Sequence, residues 1–259
     1  MIIVSEKITL EEKDFGHFNK NVVLMLINSV KDFFAEVGVN SSKSLVVKHQ
    51  KGAPECRVVP GSDLHVIFLT VEEDDWGRWT YEFAHEFCHH LINGSLVRGT
   101  AGLRWFEESL CHVASYACLD RFIRKCAENK SLTNNVWHLI NYLQNYLSDC
   151  GDRLYDSFMP DLQNPKKFEP IPQSFYIPLQ TYIKKRQSVL ESDYVVYAYQ
   201  YISRALFPHF YNNKKLWEIL SFIGDTMEQT SLENLYNNLK QQVGDECKQS
   251  LDDMMACLI

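Results

Sequence analysis

The stretch that decides the reading is Tyr81-Glu82-Phe83-Ala84-His85-Glu86-Phe87-Cys88-His89-His90. His85 and His89 are four apart, so a helix stacks both imidazoles on one face, close enough to share one tetrahedral ion. Glu86 stands one step round from that face, within reach of a water on the metal. Phe83, Phe87 and Leu91 repeat every four residues on another face and anchor the helix in a core. The segment has a metal-facing side and a dry side.

A catalytic zinc takes three protein ligands and leaves its fourth position to water. The next helical pattern carries Trp105-Phe106-Glu107-Glu108-Ser109-Leu110-Cys111-His112, in which Glu108 lies 19 residues after His89. That distance fits a helix, a loop through 94–102 and a second helix returning past the metal. Glu107 is the adjacent rival, but it points about 100° away on the same helix. His112 stands one turn after Glu108 and either contacts the site or fills a helix interface. His90 lies off the metal face and is read as structural.

HEFCH, eighteen intervening residues and Glu108 resemble the H-E-x-x-H-x18-E signature of gluzincin metallopeptidases, relatives of aminopeptidase N in particular. Trp105 to Cys111 is similar to the W-L-N-E-G-F-A motif of that group, with Glu108 in the ligand position. The resemblance covers only these two motifs. It implies a zincin-like fold of the α+β class, a small N-terminal α/β lobe and a mainly helical C-terminal lobe with the active-site cleft between them. It also implies a single zinc ion on His85, His89 and Glu108, with Glu86 as general base. A tyrosine that steadies the developing oxyanion is sought in Asp193–Leu206, where Tyr197 matches best in register. The lysine and glycine that usually follow that tyrosine are absent. Tyr194 and Tyr201 share its helical face and remain alternatives. The resemblance gives the strand before the active-site helix, Leu64–Thr70, the place of an edge strand pairing with substrate backbone. A G-x-M-E-N motif is absent, so aminopeptidase activity has no support. At the position of His112, thermolysin-like relatives often carry an aspartate that orients a ligand histidine.

Working outward, Phe18–Val37 has apolar positions at helical spacing, IIVSEKITL reads as a strand, and SLVVKH and LHVIFLT read as strands separated by a Gly/Pro loop. Beyond Asp74 the pattern is almost wholly helical. Helices are expected from Asp74 or Asp75 to the Gly94 region, over Leu103–Ala127 and over Asn134–Leu147. Others are expected over Asp193–Leu206, Lys214–Ile223, Leu232–Val243 and Glu246–Cys257. Five of the eight prolines fall between Pro160 and Pro178, which marks 151–192 as an irregular connection. The whole chain is read as a single catalytic unit: an α/β lobe over 1–74, active-site helices over 75–150, that connection, and a helical lobe over 193–259.

Hydrophobic residues make up 46% and charged residues 23% of the 259, the balance of a globular protein in water. A formal charge of −7 offers nothing to nucleic acid or an anionic membrane. The start lacks a secretory pattern, and VVLMLI at 22–27 is too short to span a bilayer. Eight cysteines without a CxxC pair give a thiolate zinc site no support and read as reduced thiols in a cytoplasm. The expected partner is a peptide or protein substrate. Two other functions fit the same residues: a peptidase-derived binding module, inactive and with or without zinc, and a zinc hydrolase of non-peptide amides or esters.

Overall fold

The computed structural model describes residues 1–92, 102–147, 179–192, 196–224 and 231–259. The chain is α+β. Close contacts divide it into two compact units, Met1–Asn93 with Ala114–Leu143, and Gly94–Val113 with Gln144–Ile259.

The first unit is built on a five-stranded sheet in the order β1-β2-β3-β5-β4. β1 (Ile2–Ile3) and β2 (Ile8–Leu10) split the segment read as one strand into an antiparallel pair. β2, β3 (Ser44–His49) and β5 (Leu64–Leu69) run parallel, and β4 (Glu55–Val58) returns antiparallel to β5. The alternation of the sequence sends Leu45, Val47, Ile67 and Leu69 into the core, each no more than 1% exposed. Helix α1 (Lys20–Glu36) and helix α2 (Trp76–Ile92) pack on one another, and α2 lies against β4 and β5.

This order corrects one expectation. β5 is not an edge strand, because β3 covers one side and β4 the other. Among the described residues the edge strand next to β5 is β4, drawn from the segment read as a loop. Its four residues sit between Pro54 and Pro60 and two are exposed, so they show no alternation to read. Pairing creates the strand: Val59 N–H donates to the Leu64 carbonyl at 3.0 Å across a turn with Gly61 at φ 72°.

The entry to α2 is fixed by its acidic start. Asp75 Oδ1 accepts from Arg78 N at 3.2 Å, and its carbonyl accepts from Trp79 N at 2.9 Å, the pattern of an N-cap. Asp75 Oδ2 also accepts from the Tyr142 hydroxyl at 2.7 Å, which ties this end to helix α4 (Val136–Leu147). The Tyr142 ring lies flat against Gly77, where an added Cβ would overlap it. Gly77→Ala therefore lowers stability by about 1–3 kcal/mol through overpacking, although alanine is intrinsically favoured in a helix by about 1 kcal/mol. A thermal melt that rises for this variant would contradict the packing described.

The latter half of helix α3 (Arg104–Glu128) belongs to the same unit. Ser115 Oγ donates to the Tyr81 carbonyl of α2 at 2.9 Å, and Arg121 makes a two-pronged pair with Glu36 of α1 at 2.5 and 2.7 Å. α2 is thus gripped by the sheet, α1, α3 and α4.

In the second unit, α5 (Leu179–Ser192) occupies part of the segment expected to be irregular, and the stretch 151–178 lies outside the described residues. α6 (Val196–Asn212) continues past Pro208, where sequence reading ended it at Leu206. Proline removes one helical hydrogen bond, but buried Phe207 and Phe210 on either side, the latter against Trp217 at 4.7 Å, hold the last turn in place. A 3₁₀ turn over Lys214–Ile219, α7 (Leu220–Ile223), α8 (Leu232–Gln242) and α9 (Asp245–Met255) follow. Lys240 and the Tyr236 hydroxyl, both on α8, converge on Asp252 of α9. None of the described helices is long and apolar enough to cross a membrane.

Candidate metal centre

The register of α2 against the sheet is set by one carboxylate. Glu82, 6% exposed, accepts from Thr70 N at 2.7 Å, Thr70 Oγ1 at 2.8 Å and Val71 N at 3.1 Å, where the chain leaves β5. Arg78 Nε donates to the same carboxylate at 2.6 Å. Glu82 is three residues before His85, on the face that carries His85, Glu86 and His89. The opposite side is dry, as expected: Phe83 and Phe87 stack at 5.4 Å, Phe87 meets Phe34 of α1 at 5.8 Å, and Leu91 is buried.

On the metal-facing side the His85 and His89 rings lie 5.1 Å apart at 66°. One ring nitrogen of each and Cys111 Sγ all lie within 4.8 Å of one another. Zinc bonds of about 2.0–2.3 Å to nitrogen and sulfur place tetrahedral ligand atoms about 3.5 Å apart. The group is within a small side-chain adjustment of that spacing, and two imidazoles with a thiol are a donor set that suits a borderline-soft cation. His85 is 6% exposed and Cys111 fully buried. A buried His85–His89–Cys111 cluster can therefore hold a metal ion.

Cys111 is the residue that sequence reasoning missed. The absence of a CxxC pair argued against thiolate ligation, but that test detects sites whose two thiols share one loop. Here a single thiol comes from a helix. The available signal was its place three residues after Glu108, on nearly the same face of α3.

Glu86 is 3% exposed, beside the two histidines in sequence. Glu108, the expected third ligand, is 2% exposed, and its Oε1 accepts from Arg104 Nε at 3.1 Å one turn back along α3. Its carboxylate is not part of the three-residue group among the described residues. Glu107 and His112 are buried as well. Tyr197 stands in the first turn of α6, with its side chain outside the described set; Tyr194 lies outside the described residues altogether. Tyr201 stacks on Tyr182 at 4.1 Å.

His90, read as structural, is buried against a histidine of the sheet. Its Nδ1 meets Nδ1 of His65 on β5 at 2.9 Å, and the rings cross edge to face. Burial, then the nearby His65, push the His90 pKa down to about 3, and burial lowers His65 as well. The pair is neutral at pH 7, one imidazole donating and the other accepting. None of the seven cysteines among the described residues is in a disulfide, and burial raises Cys118 well above its ordinary value and Cys126 to about 11.

Fold and cluster together define an α+β protein with a buried group of two histidines from α2 and one cysteine from α3, α2 lying against a mixed sheet. No family model, curated protein or solved structure matches the chain.

Proposed function

We propose that this chain is a zinc-dependent hydrolase of peptide bonds, a gluzincin-like enzyme built on a zincin-like fold. The observation that carries the reading is the gathering of His85 and His89 on one face of α2, with Cys111 within reach of both and Glu86 buried next to His85. His85 and His89 hold the ion. Glu108 is the third ligand that the resemblance implies, buried on α3 with its Oε1 accepting from Arg104 Nε. Bound zinc supplies an acidified water and polarises the scissile carbonyl.

The chain's own residues do the rest. Glu86 takes the proton of the attacking water and delivers it to the leaving amine. Tyr197 donates a hydrogen bond to the oxyanion as it develops. The edge role expected of β5 passes to β4, which among the described residues is an edge strand of the sheet and packs against α2. A substrate strand added there binds through its backbone with little demand on side chains.

One observation favours a second reading. If Glu108 and Cys111 both ligate, four protein ligands close the site as in structural zinc centres. The chain is then a zinc-stabilised binding module. Zinc-loaded protein incubated with a mixed peptide library separates the two. The hydrolase yields new termini that cease to form when a chelator is added; a protein that keeps its zinc and cuts no peptide is the binding module.

A further inference from the structure

We propose that Cys111 competes with water for the metal's fourth position, so that hydrolysis proceeds only in molecules whose sulfur has moved off the ion. The inference rests on the reading in which His85, His89 and Glu108 hold zinc, and it adds a regulatory ligand to that site.

Two features of the fold lead to it. Glu108 and Cys111 are three apart on α3, so their side chains leave the helix about 60° apart and about 4.5 Å along its axis. A metal served by one is open to the other. Cys111 is fully buried and its Sγ lies within 4.8 Å of a ligating nitrogen of each histidine. A buried thiolate is costly without a cation, and a coordinating metal removes the proton outright. Once zinc is bound, sulfur is therefore held as thiolate, in the place where an open site keeps its water.

Release needs little movement. Cysteine has one side-chain torsion, and a helix leaves it two favourable χ1 rotamers. Turning from one to the other carries Sγ off the ion; the sulfur takes a proton from solvent and the position opens. The Cys111-bound and Cys111-free forms thus share one backbone, and their ratio scales the fraction of active molecules. A shift in that ratio changes kcat and leaves KM alone.

Cobalt(II) put in place of zinc in the full chain reports the sulfur directly. The wild type is expected to show the intense near-ultraviolet band of a cobalt thiolate, and a visible spectrum that barely responds to acetohydroxamate. Cys111→Ala and Cys111→Ser are expected to bind cobalt, lose that band and shift strongly with acetohydroxamate. The zinc forms of both variants are expected to show higher kcat at unchanged KM. No thiolate band in the wild type, or equal responses to acetohydroxamate in wild type and Cys111→Ala, overturns the proposal. Failure of all three proteins to bind cobalt overturns it together with the metal site. If the spectra behave as expected and no variant cleaves peptide, Cys111 is a fourth ligand of a structural site, and the gating falls together with the hydrolase reading.

Discussion

Glu86→Gln is expected to suppress the proposed zinc-dependent peptide hydrolysis and to leave the metal content of the protein unchanged. The amide has the shape of the carboxylate, and at 3% exposure a neutral side chain is no harder to bury than a charged one. What it cannot do is accept the proton of the attacking water. A positioned general base contributes about 10²- to 10⁴-fold, so the variant is expected to lose at least about a hundredfold in kcat. The loss appears equally in wild type and in Cys111→Ala, because the base acts after the fourth position has opened. Retained zinc is the second half of the expectation, since the proposed ligands are His85, His89 and Glu108. Unaltered kcat in Glu86→Gln would remove Glu86 from the mechanism, and lost zinc would make it a ligand.

The largest effect on stability is expected at Glu82. Its carboxylate gathers two backbone N–H groups at the end of β5, a threonine hydroxyl and Arg78. Glu82→Ala leaves Thr70 N and Val71 N without acceptors where Thr70 is 9% and Val71 0% exposed. A buried donor left unsatisfied costs about 1–3 kcal/mol. Arg78 is 44% exposed at its side chain and regains water, so its part of the loss is small. The expected sum is about 3 kcal/mol, read from the midpoint of urea unfolding of metal-free protein. Because Glu82 sets α2 against the sheet one turn before His85, zinc affinity falls as well. An unchanged midpoint would mean that β5 and α2 are held by packing alone.

How much of this was legible follows from the range of each interaction. The two-sided character of α2 is local: the 85/89 spacing and the 83/87/91 repeat lie within three turns, and the structure bears out the dry face that they imply. The start of α2 at Asp74 or Asp75 was legible for the same reason. β4 was not, because a four-residue edge between prolines becomes a strand only by pairing with β5. The continuation of α6 through Pro208 depends on Phe210 meeting Trp217, a contact that no propensity encodes. Glu82 joins residues 11 and 12 positions upstream, and nothing in its own neighbourhood marks it as an anchor. Cys111 is the instructive case at the site. Each ligand type was read by its usual motif, and a thiol without a CxxC partner was set aside, although helical spacing placed it beside Glu108.

The most direct test of the central claim is the zinc content of purified protein after equilibration with zinc and removal of the unbound metal. The wild type is expected to hold one zinc per chain, and His85→Ala and His89→Ala are each expected to hold none while remaining folded. A wild type that takes up no zinc, or histidine variants that retain it in full, would contradict the account.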